Sequence, residues 1–334
     1  MFVCFCSFAF MNSFETVPVL ILDTVHPALI SGLKNQGFIV EEDYFSSAES
    51  IAKRLNHYQG LVIRSRFKLD KSFLENGKNL RFIARVGAGM ENIDLTTAQS
   101  LGIACLHAPE GNRTAVAEQV LAMLLGLLNN LFKANKEVRM GSWKREENRG
   151  IELEGKTVAI IGYGNMGSAL ALRLKGFGCR VLLHDKYKSD YASPGFEEAT
   201  LQRVFEEADI VSLHLPLTDE TLYYADEKFF NSFKKNIWIV NTARGKCLKT
   251  KDLIKSMQKG KVLGACLDVI EYESLSFENF GENLTGEEKE IWEFLVTSDK
   301  VVLSPHIGGW TYESNLKMAE ILVEKVRQLY LHRF

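Results

Sequence analysis

Short apolar runs alternate with longer amphipathic segments along most of the chain. The first series predicts a helix at 27–36 and strands at 17–22, 38–41, 61–64, 82–86 and 104–106. A second series begins near Lys156 and predicts strands at 157–161, 180–184, 210–213, 238–241, 262–267 and 301–303. Because strands that alternate with helices form parallel sheets, the predicted fold class is α/β, with two doubly wound domains.

Two longer helices are predicted outside these series. Residues 114–130 form a helix whose centre, 120–128, is apolar nearly all round, so it should be buried. A subunit interface is our preferred explanation for this burial, and a core helix of a single chain is the alternative. The amphipathic segment 314–330 is expected to pack back on the first lobe. The predicted domains are therefore 11–110 together with 311–334, and 111–310.

The N-terminal segment 1–10 does not fit this pattern. It is apolar, but it lacks the basic start and the cleavage site of a signal peptide and is too short to span a bilayer. Met11 follows at once. We favour a misplaced start codon over a membrane anchor, which makes 1–10 a spurious extension.

Composition and charge exclude several classes of protein. The 334 residues suffice for one large domain or two ordinary ones, and 46% hydrophobic with 25% charged residues is typical of a soluble globular protein. A net charge of −2 gives no basic surface for nucleic acid or an anionic membrane. The six cysteines are scattered, which argues against a zinc site or a disulfide framework and favours a cytoplasmic protein without a bound metal.

A glycine-rich turn follows the first strand of the second series. Gly162-Tyr163-Gly164-Asn165-Met166-Gly167 has the spacing G-x-G-x-x-G, and Asp185 ends the next strand. Strand, glycine turn, helix, strand and acidic residue is the order of a Rossmann dinucleotide-binding fingerprint. Gly162 would permit the tight turn, Gly164 would let the backbone approach the pyrophosphate, and Gly167 would let the helix lie close to the strand.

Asp185 decides which dinucleotide is expected. Its carboxylate would accept hydrogen bonds from the adenosine ribose hydroxyls and repel a 2′-phosphate, so we predict NAD rather than NADP as the cofactor. The nearby cations of Lys186 and Lys188 weaken this prediction. An exposed turn residue is the alternative role for Asp185.

Three later strands of the second series are each followed by ionisable residues. Arg244 follows the fourth strand, Glu271 and Glu273 follow the fifth, and His306 follows the sixth. The carboxyl ends of parallel strands meet at one edge of a sheet, where ligands bind. We therefore expect these groups to converge beside the nicotinamide.

Their chemistry suits hydride transfer between an alcohol and a carbonyl group. The cofactor carries the hydride, and the protein must move one proton and stabilise one developing negative charge. His306 can exchange a proton near neutral pH, and an adjacent carboxylate would orient the imidazole and favour its protonated form. Arg244 can grip a substrate carboxylate and polarise the reacting oxygen. Taken singly, each residue also has an ordinary structural interpretation.

Together, these motifs resemble those of the D-isomer-specific 2-hydroxyacid dehydrogenases. The matching segments run in the family's order over most of the chain, at 85–94, 162–167, 241–245, 267–273 and 304–309. The resemblance implies that Arg244 binds and polarises the substrate, that His306 is the acid/base, and that Glu273 rather than Glu271 is its partner. It also implies a split, flavodoxin-like substrate domain hinged to a Rossmann-like NAD domain. The family's long interdomain helix further implies a homodimer or homotetramer.

The resemblance adds binding roles that the residues alone do not reveal. The substrate would be a small 2-hydroxy or 2-keto acid, with its carboxylate bound by backbone amides at Gly87, Ala88 and Gly89. Besides the glycine turn and Asp185, further residues would line the NAD cleft: Asn165, Met166, Leu215, Thr242, Ala243 and Asp268.

The segment Arg64-Ser65-Arg66 bears on the identity of the substrate. It resembles the phosphate-contacting turn of the family's phosphoglycerate dehydrogenases, and two arginines that flank a serine can grip a dianionic phosphate. We therefore expect D-3-phosphoglycerate and 3-phosphohydroxypyruvate, the substrates of serine biosynthesis. A glyoxylate or hydroxypyruvate reductase, whose arginines here are ordinary surface residues, is the alternative. A non-catalytic, NAD-sensing co-regulator is the alternative from another class.

The chain also departs from the family pattern. Ser274 stands where proline is usual, and the acidic segment 274–290 is longer than the usual connection, so we expect a solvated loop near the mouth of the active site. The chain ends at Phe334 without the regulatory domain of some phosphoglycerate dehydrogenases, so serine feedback is not expected.

Overall fold

The computed structural model describes residues 17–273 and 284–333. The predictions for the N-terminal segment 1–10 and for most of the acidic segment, 274–283, lie outside the described residues. The described chain divides into two compact units. Unit 1 contains the residues up to Gly111 and from Asn315 onward, and unit 2 is Asn112–Ser314.

Unit 1 is built on a five-stranded, all-parallel sheet with the order β2-β1-β3-β4-β5. This is the flavodoxin-like strand order. Because helices cover both faces of such a sheet, its inner strands are continuously apolar. Its elements are β1 (Pro18–Ile21), α1 (Pro27–Asn35), β2 (Ile39–Glu42), α2 (Ala48–Arg54), β3 (Gly60–Ile63), α3 (Lys71–Leu74), β4 (Phe82–Arg85), α4 (Leu95–Ser100) and β5 (Ala104–His107).

Unit 2 is built on a seven-stranded parallel sheet, in which β6 lies between β7 and β9. The chain first runs outward through β7 and β8, and then returns to the other side of β6 through β9 to β12. This reversal makes unit 2 a doubly wound Rossmann fold, with a ligand-binding crevice expected at the reversal point. Its elements after α5 (Pro109–Leu128) are α6 (Leu131–Arg139), β6 (Thr157–Ile161), α7 (Asn165–Leu174), β7 (Arg180–His184), β8 (Glu197–Glu198), α8 (Leu201–Glu207), β9 (Ile210–Leu213), α9 (Glu227–Ser232), β10 (Ile237–Asn241), α10 (Thr250–Gln258), β11 (Val262–Leu267), α11 (Gly286–Thr297) and β12 (Val301–Leu303).

The last helix, α12 (Tyr312–Arg333), completes the core of unit 1. Its residues Met318, Leu322 and Val326 are buried in the same apolar cluster as Val19 and Ile21 of β1. The two ends of the described chain are therefore tied together by apolar packing.

The long helix predicted at 114–130 is α5, and its burial does not have the origin that we preferred. Val120, Leu124 and Leu127 are buried in an apolar cluster of unit 2 that also contains Val158 of β6 and Val302 of β12. The chain's own sheet thus covers this helix, so its apolar sequence gives no argument for a subunit interface. No single helix among the described residues is long and apolar enough to cross a membrane, although α5 and α6, bent by 62°, pass that test as a pair.

One further expectation is corrected in unit 2. The C-terminal part of the acidic segment 274–290 is not a loop, because Gly286 begins α11. Glu287 and Glu288 lie in the first turn of that helix, where the helix dipole favours negative charge, and Ile291 and Leu295 anchor it in the core.

Candidate active site

The glycine turn between β6 and α7 has the close packing that the fingerprint requires. Gly162 has a φ of 95°, and a Cβ atom placed on it would lie 2.5 Å from the carbonyl oxygen of His214. A Cβ atom on Gly167 would lie 2.1 Å from the carbonyl oxygen of Gly162. A side chain on Gly162 would therefore collide with the backbone after β9, and one on Gly167 would push the start of α7 away from the glycine turn.

Gly164 has a different environment. It is the N-cap of α7, and a Cβ atom placed on it would meet nothing within 4 Å. Open space thus lies over the start of a helix whose first-turn amides, at Asn165, Met166 and Gly167, form the positive end of the helix dipole. An open cradle of backbone amides at a helix N-terminus fits the pyrophosphate of a dinucleotide.

Asp185 follows β7, as predicted, and is bonded to the glycine turn. Its Oδ2 accepts the amide of Tyr163 at 2.9 Å, and its Oδ1 accepts the amide of Tyr187 at 3.0 Å. Because each carboxylate oxygen can accept two hydrogen bonds, the residue keeps acceptor capacity for ribose hydroxyls.

The two lysines that weakened the prediction of NAD both have protein partners. The Lys186 ammonium pairs with the carboxylate of Glu220, and the Lys188 ammonium donates to the carbonyl oxygen of Tyr163. Both cations are therefore partly neutralised or occupied, which favours NAD over its 2′-phosphorylated form.

The turn after β10 carries Thr242, Ala243 and Arg244. Asn241 shapes it, because its Oδ1 accepts the Ala243 amide at 3.1 Å and its Nδ2 donates to the Arg244 carbonyl oxygen at 3.0 Å. Arg244 in turn donates from Nη1 to the Ala243 carbonyl oxygen at 2.6 Å. Thr242 is buried, and no described residue hydrogen-bonds to its Oγ1. A buried hydroxyl without a protein partner suits a ligand-lined position, as does the half-buried Leu215 after the neighbouring strand β9.

Asp268, at the end of β11, is 1% exposed and braces the loop after β12. Its Oδ1 accepts the Ser304 hydroxyl at 2.6 Å and the Ile307 amide at 2.9 Å. Its Oδ2 accepts the Gly308 amide at 2.7 Å. A buried carboxylate with several donors is a rigid anchor, so Asp268 has a structural task in addition to the expected place in the NAD cleft.

His306 is held at the centre of this loop in an uncommon conformation. Its φ is 53°, and its amide donates to the Asp268 carbonyl oxygen at 2.8 Å. A positive φ is unusual for a residue with a side chain, and such residues concentrate at functional sites. The imidazole Nδ1 lies 3.0 Å from Oε2 of Glu273.

Glu271 and Glu273 have different partners in the structure, which decides which of them contacts His306. Glu271 accepts the Thr250 amide at the start of α10 at 2.9 Å, whereas Glu273 contacts His306. Glu271 is therefore a capping residue of α10, and Glu273 is the carboxylate that orients the imidazole.

Sequence reasoning missed His214, which follows β9. Its Nε2 lies 2.9 Å from the Ser212 hydroxyl, and no described residue hydrogen-bonds to its Nδ1. Burial lowers the pKa of this imidazole to about 4, so it is neutral at physiological pH. The polar pair Ser212 and His214, in an otherwise apolar strand segment, was the available signal.

In unit 1, the turn after β3 places Arg66 against the main chain of three neighbouring segments. Arg66 donates from Nη1 to the carbonyl oxygens of Leu22 at 3.0 Å and Asp43 at 2.7 Å, and from Nη2 to that of Ser46. Its guanidinium thus joins three segments of the unit. Arg64 is anchored through its amide, which donates to Asp23 Oδ2 at 2.6 Å. Gly87, Ala88 and Gly89 form the loop after β4.

Comparisons with known proteins agree with this geometry. Residues 121–308 match the D-isomer specific 2-hydroxyacid dehydrogenase, NAD binding domain. A hydroxypyruvate reductase of Thermotoga maritima is 34% identical over 278 residues, which are 83% of this chain and 87% of that protein. A D-lactate dehydrogenase from Aquifex aeolicus, solved with NAD and lactic acid, is 28% identical with a TM-score of 0.79, covering 94% of this chain and 95% of that one.

A second group of relatives is longer. A D-3-phosphoglycerate dehydrogenase of Archaeoglobus fulgidus is 31% identical over 310 residues, which are 92% of this chain but 56% of that protein. The chain therefore spans about half the length of this relative, and the relatives differ in the substrates that they are named for. The chain belongs to the D-isomer-specific 2-hydroxyacid dehydrogenases and is an NAD-dependent oxidoreductase.

Proposed function

We propose that the protein reduces a small, unphosphorylated 2-keto acid of the size of hydroxypyruvate to its D-2-hydroxy acid. The observation that carries this choice is the position of Arg66. Both of its terminal nitrogens donate to main-chain carbonyls, so the guanidinium is engaged in hydrogen bonds within unit 1. A dianionic phosphate needs charged donors that are available to it.

The acid/base chemistry is assigned to His306 and Glu273. During reduction the His306 imidazolium gives a proton to the former carbonyl oxygen, and Glu273 holds the ring through Nδ1 at 3.0 Å. NADH supplies the hydride when it is bound. Arg244, permanently charged, stabilises the negative charge that develops on the reacting oxygen.

NAD itself is assigned to the edge of unit 2 already described. Gly164 and the first-turn amides of α7 fit the pyrophosphate, and Asp185 fits the adenosine ribose. Thr242, with its buried hydroxyl, is a further candidate contact.

The test is NADH oxidation with hydroxypyruvate, glyoxylate, 2-oxoglutarate and 3-phosphohydroxypyruvate. We expect the highest kcat/KM with one of the unphosphorylated acids, and no competition by inorganic phosphate. A clear preference for 3-phosphohydroxypyruvate would overturn the proposal and return Arg64 and Arg66 to a phosphate site. Absence of turnover with every acid would favour the NAD-sensing alternative.

A homodimer is proposed separately. It rests on α6, where Leu131, Phe132 and Val138 are each about half exposed. Exposed apolar side chains on one helix favour burial against another protein surface, and a second copy is the partner always present. Light scattering that gives a monomeric mass at micromolar concentration would contradict this assignment.

A further inference from the structure

The loop after β4 is bordered by the end of β5. Arg85 and His107 are the last residues of these two strands and face each other in the parallel register. The loop with Gly87, Ala88 and Gly89 leaves β4 at this point, and Ala108 continues the chain beyond β5.

Two successive carbonyl groups of the loop are held by donors from His107, which ends β5, and from Ala108, which follows it. The Ala108 amide donates to the Gly87 carbonyl oxygen at 3.0 Å. His107 Nδ1 lies 2.6 Å from the Ala88 carbonyl oxygen. Because a carbonyl oxygen can only accept, the proton in this contact belongs to Nδ1.

These contacts also fix the direction of two amides. The described chain has no cis peptide bond, and in a planar trans peptide the N–H points opposite to the C=O. Holding the Gly87 and Ala88 carbonyls toward β5 therefore turns the Ala88 and Gly89 N–H groups to the other side of the loop. Within the described ranges, neither amide donates to a backbone carbonyl group.

Arg85 limits how this loop can move. A Cβ atom on Gly87 would lie 1.6 Å from Arg85 Nη1, so the guanidinium packs directly against the glycine. The loop is thus confined by the Arg85 cation at Gly87 and by the donors of His107 and Ala108 at its carbonyls. Successive backbone amides on one side of such a turn are a common anion-binding arrangement.

We propose that His107 is a positioning residue for substrate binding. By holding the Ala88 carbonyl, its imidazole turns the Gly89 amide toward the substrate carboxylate before the substrate arrives. Amides that are oriented in advance bind an anion without a further ordering cost. This inference rests on the proposed function, because the family resemblance assigns the substrate carboxylate to this loop.

The test is His107→Leu, which removes the donor and keeps an apolar side chain. We expect the KM for hydroxypyruvate to rise about tenfold, because the Gly89 amide loses its charge-assisted hydrogen bond to the substrate carboxylate. The kcat and the KM for NADH should stay near wild type. His107→Asn should keep the KM near the wild-type value. The asparagine Nδ2 is as many bonds from the backbone as the histidine Nδ1, and it also donates a hydrogen bond.

Lys325→Met is the matched control. The Lys325 ammonium donates to the His107 carbonyl oxygen at 2.7 Å and pairs with Glu110, so its removal loosens the same strand end without touching Ala88. An equal rise of KM in all three variants would indicate a general structural effect and overturn the inference. If the wild-type enzyme turns over hydroxypyruvate and His107→Leu has an unchanged KM, the inference alone is overturned. If the wild-type enzyme shows no turnover, the proposed function is overturned and the inference with it.

Discussion

Asp268 holds His306 through its backbone and the rest of the His306 loop through its side chain. The Asp268 carbonyl oxygen accepts the His306 amide at 2.8 Å, while its carboxylate accepts the amides of Ile307 at 2.9 Å and Gly308 at 2.7 Å. Asp268 thus fixes the backbone of His306, the proposed acid/base, in its conformation with a positive φ. A conformation of this kind persists only when its surroundings over-determine it.

Asp268→Asn should therefore misplace His306. The side-chain amide nitrogen of the asparagine would face one of the loop's N–H donors and repel it. A displacement of His306 by about 1 Å would lower kcat/KM about a hundredfold. Urea unfolding should show a loss of about 1–3 kcal/mol.

Asp252→Asn is the control for that loss of stability. Asp252 is also buried, accepts the Glu227 amide at 3.2 Å and pairs with Lys249 at 3.3 Å. It should lower stability and leave kcat unchanged. A normal kcat in Asp268→Asn would show that the loop does not depend on this carboxylate.

The two glutamates after β11 should differ in catalysis. Glu273→Gln removes the carboxylate beside His306 Nδ1, and we expect kcat to fall on the order of ten- to a hundredfold because the imidazolium loses its partner. Glu271→Gln keeps an oxygen for the Thr250 amide and should remain near wild type. Steady-state kinetics of both variants decide the assignment, and equal losses would reject it.

Asp185 should set the preference for NADH. Asp185→Ala removes the acceptor expected for the ribose hydroxyls, so NADH affinity should fall about tenfold and the gap to NADPH should narrow. Fluorescence titration with both coenzymes measures the two affinities. An unchanged preference would remove Asp185 from this role.

His214 should make the protein less stable in acid. Its folded-state pKa of about 4 lies below the unfolded value near 6.5, so the unfolded chain binds the proton first as pH falls. The stabilisation is present above about pH 6.5 and is lost as pH falls toward 4, by about 2 kcal/mol between pH 7 and pH 5. Urea unfolding of the wild type and of His214→Asn at these two pH values should show a smaller pH effect in the variant. An identical pH effect would contradict the burial of a neutral imidazole.

Much of unit 2 could be predicted because its strands are buried on both faces. The bounds of β6, β7, β9, β11 and β12 match the apolar runs of the sequence. The edge strand β8 was missed, because its two residues are both glutamates and carry no apolar signal. The apolar centre of α5 indicated burial, but it could not distinguish the chain's own sheet from a second subunit.

Some site residues could likewise be located from the sequence, and others could not. Glycine spacing and strand ends located Gly162, Asp185 and His306, since local order along the chain decides those positions. The partners of Arg66 come from 20 to 44 residues away, so only the folded chain reveals that they occupy its guanidinium. His214 was missed for a related reason, because its burial depends on how the neighbouring strands pack around it.

The most direct test of the central claim is a paired measurement on His306→Ala. With hydroxypyruvate as substrate, we expect kcat to fall on the order of a hundred- to ten-thousandfold, while the dissociation constant for NADH stays within about twofold of wild type. This result would place His306 at the reacting oxygen and away from the cofactor phosphates. Undiminished turnover, or NADH binding that is lost together with turnover in a folded variant, would contradict the account.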